Sequence, residues 1–185
     1  MEQRDRGAAV CLGFFDGVHL GHRALLTAAR EIARREGLSV CAHTFDVPPG
    51  GKGAPLTTLE ERIALLREAG ADTVAVSPFD DGMRRMPGDE FFRRIVLGEL
   101  GARHVICGDD HRFGYRGAWG AEELRALCGE AGIGLTVVPP VTLPDGSRIS
   151  TTALRAALQA GDFARAEEML GRAPSPAMRA MAMEK

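Results

Sequence analysis

The chain has 185 residues, of which 45% are hydrophobic and 26% charged, and these values fit one globular domain with its own core. Its net charge of −2 gives no overall attraction to nucleic acid or to an anionic membrane, so any anion site must be built locally. The charged N-terminus lacks the apolar stretch of a secretory signal, and no apolar run approaches the ~20 residues that cross a bilayer, so a cytoplasmic location is the default expectation.

Predicted strands and helices alternate along the chain. Short apolar runs predict buried strands, in chain order over 8–13, 38–45, 73–76, 104–107 and 135–138. Helical spacing of apolar residues predicts helices, in chain order over 20–36, 59–69, 89–100, 121–131, 150–160 and 162–170. Gly37 is a typical stop for the first helix, and Thr58 with Glu61 has the spacing of a capping box at the second.

This alternation predicts a Rossmann-like α/β fold, with a parallel five-stranded sheet and helices on both faces. Residues 1–172 are expected to form one domain, and residues 173–185 a loose tail in which Met178, Met181 and Met183 could still pack on a neighbour. The four cysteines have no C-x-x-C spacing. Three of them, Cys11, Cys41 and Cys107, lie in apolar runs, which favours buried structural thiols.

Ligands of such sheets bind beyond the carboxyl ends of the strands, near the switch in strand order. The loops 14–18, 46–56 and 109–117 follow the first, second and fourth strands and are rich in glycine or proline, so we expect them to line one site. The three prolines and three glycines of 46–56 are compatible with a mobile lid, but they leave open whether it closes.

The most informative segment joins the first strand to the first helix and reads Gly-Phe-Phe-Asp-Gly-Val-His-Leu-Gly-His over residues 13–22. His19 and His22 lie on one side of the first helical turn, where unpaired N–H groups and the helix dipole favour an anion. Gly21 leaves room for a nucleotide against the backbone. Attack on an α-phosphate needs this equipment, because positioning and charge stabilisation supply most of the catalysis. The alternative is a metal pair or two structural histidines, although the other histidines form no recognisable ligand motif.

A second anion cradle is predicted at the start of the helix over 150–160. Hydroxyls of Ser150, Thr151 and Thr152 with Arg155 one turn later could hold the phosphates that leave; plain helix capping with a surface arginine is the alternative. Asp110 could orient a substrate or a metal, or be a turn aspartate. Phe14 and Phe15 could lean on a ring or belong to the core.

Residues 15–22 resemble the nucleotide motif of the bacterial FAD synthetases, in their FMN adenylyltransferase module, which belongs to the H-x-G-H nucleotidyltransferase superfamily. The likeness extends over about residues 8–172. It continues in order through Thr44-Phe45, residues 56–62, Pro78-Phe79, Glu90-Phe91, residues 108–114, residues 149–155, Gly161-Asp162 and residues 170–172. The sequence departs from the family at three positions. Phe14 stands where the family often has Asn. The stretch Asp46-Val47-Pro48-Pro49 lacks the histidine of the family's Pro-His-Pro, and His111 replaces a Phe.

The resemblance implies a nucleotidyltransferase-type fold and transfer of AMP from ATP to FMN, giving FAD and pyrophosphate, with Mg²⁺ on the phosphates. It implies catalytic roles for His19, His22 and Arg155. Nucleotide-binding roles are expected for Gly13, Phe14, Phe15, Asp16, Gly17, Gly21, Ser150, Thr151 and Thr152. Substrate-binding roles are expected for Thr44, Asp110 and Phe113. The riboflavin kinase module of the two-domain relatives has no counterpart here, so no riboflavin kinase activity is expected.

Two other functions remain open at this stage. The Ile-Ser-Thr-Thr stretch at 149–152 also resembles cytidylyltransferases that act on glycerol phosphate or choline phosphate, with CTP in place of ATP. The departures at Pro48 and His111 are compatible with a flavin- or nucleotide-binding protein that has lost catalysis. The sequence does not fix the acceptor, the base preference, any metal ligand or the oligomeric state.

Overall fold

The structure, a computed structural model, describes residues 7–50 and 53–183. Five strands cover β1 (Ala8–Leu12), β2 (Ser39–Phe45), β3 (Thr73–Ser77), β4 (Ala102–Gly108) and β5 (Gly134–Val138). The α-helices of the described residues are α1 (Leu20–Glu36), α2 (Leu59–Glu68), α3 (Asp81–Arg85), α4 (Gly88–Phe91), α5 (Ala121–Ala131), α6 (Thr151–Gln159), α7 (Phe163–Leu170) and α8 (Pro176–Ala180). Single 3₁₀ turns occur at Asp16–Val18, Tyr115–Gly117 and Met181–Met183.

The strands form one parallel sheet in the order β3-β2-β1-β4-β5. The chain moves outward from β1 to β3 on one side, then returns to pair β4 with the other side of β1. The strand order therefore switches between β1 and β4, which is the position where such sheets leave a crevice for a ligand. The predicted five-stranded α/β fold is confirmed.

Alternating residues of β1 belong to two separate cores. Val10 and Leu12 pack with the residues of β4, α4 and α5, whereas Ala9 and Cys11 pack with α1 and β2 on the opposite face. Helices thus cover both faces of the sheet, as the alternation predicts. All four cysteines are buried free thiols, so the prediction of structural cysteines is confirmed.

Helix boundaries follow the capping signals of the sequence. Gly37 ends α1 in the left-handed conformation at φ 71°, and its N–H donates to the carbonyl of Ala33. At α2, Thr58 and Glu61 form the reciprocal capping box, with distances of 3.1 and 2.9 Å. The buried face of α1 consists of the five apolar residues at helical spacing, Leu25, Leu26, Ala29, Ile32 and Ala33.

The segment after β3 differs from the sequence prediction. The expected α-helix over 89–100 has only one turn of α-helix, in α4, and continues as a π-helix over Phe92–Glu99. The N–H of Leu100 accordingly bonds to the carbonyl of Ile95, five residues back. The spacing of apolar residues over 89–100 is compatible with both an α-helix and a π-helix, so it does not distinguish the two. The short helix α3 has no buried residue, so it leaves no apolar stripe from which the sequence could predict it.

The segment after Arg172 also differs from the expected loose tail. It contains α8, with the hydroxyl of Ser175 accepting the N–H of Met178 at 3.3 Å as an N-cap. Met178 is 1% exposed and packs with α6 and α7 in a third apolar cluster. Burial of this one side chain is the physical reason for the difference. No helix within residues 7–50 and 53–183 combines the length and apolar character needed to cross a membrane.

Candidate active site

A cavity of about 320 Å³ lies at the carboxyl edge of the sheet, at the switch between β1 and β4. Its wall comes from residues 12–15 after β1, the start of α1, residues 108–112 after β4, residues 138–141 after β5, and residues 148–152 leading into α6. The prediction for the loops after β1 and β4 is thus confirmed. None of the described residues of the loop 46–56 lines this cavity; residues 51 and 52 lie outside the described residues. The segment after β5, which was not predicted, lines it instead.

His19 and His22 form a stacked pair on the cavity wall, with ring centroids 3.7 Å apart and an interplanar angle of 17°. His19 is also the N-cap of α1, because its Nδ1 accepts the backbone N–H of His22 at 3.3 Å. That bond requires an unprotonated Nδ1, so the neutral His19 ring carries its proton on Nε2. The free Nε2–H is then a donor suited to a phosphate oxygen.

Both rings are neutral in the free protein near neutral pH. Burial lowers the pKa of His19 to about 4. Burial, and secondarily the neighbouring His19, lower the pKa of His22 well below its ordinary value. The Nδ1 atom of His22 is buried and has no hydrogen-bond partner among the described residues. An arriving phosphate would reverse this balance, because a nearby negative charge favours the protonated imidazole.

Burial of neutral histidines predicts an acid-sensitive fold. The pKa of His43 and that of His111 are also lowered to about 4, chiefly by burial. Between about pH 6.5 and pH 4 the unfolded chain binds protons that the native chain excludes, so stability is complete above pH 6.5 and falls as the pH falls toward 4. We expect the free energy of unfolding by urea to drop between about pH 7 and pH 5, by up to ~1.4 kcal/mol per pH unit for each such histidine.

The variant His43→Gln should reduce the slope of the unfolding free energy against pH by the equivalent of about one proton, because it removes one of these histidines. His43 hydrogen-bonds Ser77 and lies outside the cavity wall. A free energy of unfolding that is equal at the two pH values would contradict the prediction.

The turn before His19 has a strained backbone. Phe15 and Val18 have positive φ angles of 59° and 42°, and Gly17 has 77°. A left-handed conformation is unusual for phenylalanine and unfavourable for a β-branched valine. Such a turn persists only where its surroundings fix it, so the contacts to this turn matter for the placement of His19.

Asp16 fixes the turn and does not face the cavity in the free protein, and its nucleotide-binding role stays a prediction. It is 5% exposed. Its carboxylate accepts the N–H groups of Leu56 and Thr57 at 2.8 and 3.1 Å, and Arg155 donates to it at 3.3 Å. Gly17 also lies outside the cavity wall, and its N–H donates to the hydroxyl of Thr57 at 3.3 Å. The acidic residue of the motif therefore joins the turn to residues 56–57.

The start of α6 supplies hydroxyls to the cavity. Ser150, Thr151 and Thr152 all line it, as predicted. The hydroxyl of Ser150 also caps α6 by accepting the N–H of Ala153 at 3.1 Å, and that of Thr151 donates to the carbonyl of Asp16 at 3.3 Å. The capping alternative is confirmed for Ser150, and the anion cradle stays a prediction. Arg155 pairs with Asp16 and is not part of the wall in the free protein, so its catalytic role also stays a prediction.

The two phenylalanines of the motif have different environments. Phe15 also borders the cavity, but it is 1% exposed and meets the ring of His22 edge-on, so it is a core residue that supports the histidine. Phe14 lines the cavity, with the guanidinium of Arg62 4.1 Å from its ring centroid. The hydroxyl of Thr44 donates to the carbonyl of Phe14 at 2.8 Å. Thr44 therefore supports the turn in the free protein, and its substrate-binding role stays a prediction.

Arg62 is a buried residue whose role the sequence did not suggest. It is 1% exposed, and it donates to the carbonyl of Phe45 at 2.6 Å. Burial lowers the pKa of its guanidinium, which Asp16 and Asp46 oppose. Its position next to the ring of Phe14 depends on the packing of α2 against the turn, which local sequence patterns do not show.

The loop after β4 carries the other charged residues of the wall. Asp110 lines the cavity next to Asp109, and its substrate-binding role stays a prediction. Arg148, which sequence reasoning missed, bonds both oxygens of Asp109 at 2.6 and 3.1 Å and lies 3.1 Å from Asp110. Its position directly before Ile149-Ser150 is the sequence feature that could have identified it. These three side chains connect the loop after β4 to the start of α6 across the cavity.

Phe113 is 7% exposed and lies behind the wall in the core of the free protein, and its substrate-binding role stays a prediction. The ring of His111, which does line the cavity, lies over Phe113 at 5.8 Å with an interplanar angle of 15°. Among residues 7–50 and 53–183, no group of three or more His, Cys, Asp or Glu side chains is placed to hold a metal ion.

Several known proteins resemble this chain in sequence. The FAD synthetase family model matches residues 1–153. The bifunctional riboflavin kinase/FMN adenylyltransferase of Pseudomonas fluorescens is 36% identical over 173 residues, 90% of this chain and 55% of that protein. That of Escherichia coli is 34% identical over 174 residues, 89% and 54%. This chain thus spans about half the length of both. A Geobacillus thermodenitrificans relative is 33% identical over 168 residues, covering 89% of this chain and 90% of its own length.

Solved structures agree on the fold. A Streptococcus pneumoniae structure described as a macrolide-efflux protein matches with a TM-score of 0.80 and 27% identity, over 92% of this chain and 59% of that one. A pantoate-beta-alanine ligase from Francisella tularensis matches with a TM-score of 0.56 and 14% identity, over 89% and 71%. This second likeness shows the fold alone. Because the family match runs from β1 through the hydroxyls at the start of α6, and so includes both sides of the cavity, the chain belongs to the FAD synthetase family.

Proposed function

We propose that this chain transfers AMP from ATP to FMN, giving FAD and pyrophosphate. The observation that carries the proposal is the stacked pair of His19 and His22 at the start of α1, at the switch point of the sheet. Relatives over 30% identical are described as FMN adenylyltransferases, which supports the choice of substrates.

The triphosphate of ATP is assigned to the space between α1 and α6. There the Nε2–H of His19 and the hydroxyl hydrogens of Ser150 and Thr152 are available to phosphate oxygens, whereas the hydroxyl of Thr151 already donates to the carbonyl of Asp16. A phosphate oxygen of FMN attacks the α-phosphorus, a new P–O bond forms, and the bond between the α-phosphorus and the bridging oxygen breaks. Pyrophosphate takes the electron pair of that bond. Negative charge grows on the leaving group, and donors fixed before the reaction lower the barrier most.

Because the two histidines are neutral in the free protein, we expect them to stabilise the transition state more than bound ATP. In the free protein, burial holds both rings uncharged. Phosphate charge favours their protonation, and the favourable interaction therefore increases as the charge on the leaving oxygen grows. Interactions that strengthen in the transition state raise the rate, whereas equal binding of both states only lowers KM.

Mg²⁺ is part of the substrate in this proposal and enters with ATP. It usually keeps several waters and is held by phosphates with one or two carboxylates. Asp109 and Asp110 are the carboxylates of the cavity wall. Asp109 pairs with Arg148 through both oxygens and Asp110 through Oδ2 alone, so binding of a metal on ATP would compete with these ion pairs, most of all at Asp109.

The loop after β4 is assigned to the acceptor. His111 replaces the phenylalanine of the family there, and burial lowers its pKa to about 4, so its ring is neutral and planar at neutral pH. It stacks on Phe113 as an aromatic side chain would. This supports the view that the departure is compatible with a flavin ring as acceptor.

The test is to incubate the purified chain with Mg²⁺, ATP and FMN and to measure pyrophosphate and FAD together. We expect both products in equal amounts. Parallel reactions contain CTP in place of ATP and glycerol phosphate in place of FMN. Pyrophosphate only with CTP would move the chain to cytidylyl transfer, and bound FMN without turnover would make it a binding protein.

A further inference from the structure

The strained turn before His19 is touched by a corner from the far end of the chain. The corner consists of Leu170, which ends α7, followed by Gly171 and Arg172. The Nη2 of Arg172 donates to the carbonyl of Gly17 at 2.9 Å, across 155 residues of sequence. None of these three residues lines the cavity.

Gly171 gives the corner a second contact with the turn. It ends α7 in the left-handed conformation at φ 65°, and a Cβ at this position would lie 2.6 Å from Cδ2 of Leu20. Leu20 is the first residue of α1 and packs in the apolar cluster of α6, α7 and α8. The corner therefore holds the chain on both sides of His19, at Gly17 before it and at Leu20 after it.

The contact of Arg172 falls where the backbone most needs support. Both residues that follow Asp16 have left-handed angles, 77° at Gly17 and 42° at Val18. The hydroxyl of Thr57 accepts the N–H of Gly17, and Arg172 binds its carbonyl, so both polar groups of this residue are held from outside the turn. A backbone with this strain relaxes when its external partners are removed.

The guanidinium of Arg172 has one nitrogen bonded to the turn and one without a partner. Its Nη1 is buried and has no hydrogen-bond partner among the described residues. Burial lowers its pKa, and the neighbouring Arg23 adds to this effect, against Glu68 and Glu61. A partly buried cation with one unpartnered nitrogen is expected to contribute little net stability, so its main effect is expected on the geometry of the turn.

We propose that Arg172 is a positioning residue for the histidine turn: it holds the Gly17 peptide, and through it keeps His19 and His22 aligned toward the α-phosphate. The inference rests on the proposed nucleotidyl transfer for its kinetic consequence, but its structural consequence is independent of any substrate. It also gives the segment that follows α7 a direct effect on the active site.

The kinetic test compares Arg172→Met with Arg179→Met in the full chain. Arg172→Met keeps the length of the side chain and removes the donor. Arg179 is the matched control, because it lies in α8, packs over Phe163 at 4.8 Å and touches no part of the turn. We expect kcat for FAD formation to fall by about 10- to 100-fold in Arg172→Met, with KM for ATP changed much less, because a misplaced reacting group affects the transition state most. Arg179→Met should keep the wild-type kcat.

The substrate-free test uses NMR of the two imidazoles and hydrogen exchange of the His22 amide, which donates to His19. In Arg172→Met we expect shifted His19 and His22 ring signals and faster exchange of that amide, while the amides of β4 keep their protection. Unchanged ring signals, exchange and kcat in a folded Arg172→Met would overturn the inference. If that variant does not fold, Arg172→Gln, whose amide is too short to reach the carbonyl, is judged by the same criteria. If the wild type forms no FAD, the proposed function fails and the NMR comparison alone decides on Arg172.

Discussion

Replacing His22 by alanine is expected to reduce kcat/KM for FAD formation by about 100- to 1000-fold while leaving the protein folded. The loss is that of one fixed donor to a charge that grows in the transition state. The ring of His22 stacks on His19 and meets Phe15 edge-on, so its removal also releases the orientation of His19. The measurement is the rate of FAD and pyrophosphate formation at saturating FMN, together with the urea midpoint of each variant.

His104→Gln is the matched control for that substitution. His104 is also a buried histidine, but it lies in β4 away from the cavity wall and hydrogen-bonds Thr136 at 2.9 Å and Glu36 at 3.4 Å. We expect His104→Gln to lower the urea midpoint and to keep kcat. An unchanged rate in His22→Ala would remove the proposed mechanism, and a parallel loss of rate in both variants would reduce His22 to a structural residue.

Local signals made much of the fold predictable from the sequence. The apolar stripe of α1 needs only the 3.6-residue period, and Gly37 and the Thr58–Glu61 box are local hydrogen-bond patterns. The alternation of strands and helices along the chain then predicts a parallel sheet with right-handed crossovers. These signals depend on neighbours within a few residues, and each is visible in the printed sequence.

Long-range contacts account for what the sequence could not predict. The motif suggests that Asp16 faces a nucleotide, yet its carboxylate turns toward the backbone of Leu56 and Thr57, 40 and 41 residues away. Whether a polar side chain near a ligand points into or away from the cavity depends on partners that local patterns do not identify. The same holds for Arg155, which pairs with Asp16 across 139 residues, and for Thr44, which holds the carbonyl of Phe14.

Sequence resemblance located the cavity better than it assigned the side chains. Residues at the two histidines and at 150–152 line the cavity as the family motif implies. The contribution of 138–141 and of Arg148 was missed, because a short segment after an edge strand carries no periodicity and no glycine-rich signal. The likeness of a motif thus identifies the segments around the cavity more securely than it separates side chains that face the cavity from side chains that support it.

Asp16→Asn is expected to lower the free energy of unfolding by about 3 kcal/mol, because the substitution removes the negative charge that pairs with Arg155 and leaves that guanidinium without its partner. In the native carboxylate, Oδ1 accepts from the N–H groups of Leu56 and Thr57 and from the Thr57 hydroxyl, and Oδ2 accepts from the Leu56 N–H and from Arg155. An asparagine has only one acceptor oxygen, and its NH2 group would face donors on the other side. The turn should relax, and kcat should fall with it by about 100-fold, as for a displaced reacting group. The measurements are urea unfolding at neutral pH and steady-state FAD formation.

The same substitution separates a supporting role from a ligand-binding one. If Asp16 holds the turn, stability and kcat fall together, while KM for MgATP changes little and Asp16→Asn shows coupling to Arg155→Met in a double-mutant cycle. If instead Asp16 touches the nucleotide or its Mg²⁺, KM for MgATP rises, stability is kept and the two substitutions are independent. Asp145→Asn is the control, because its carboxylate sits in an exposed turn with Ser147 and Arg165 and should leave kcat unchanged.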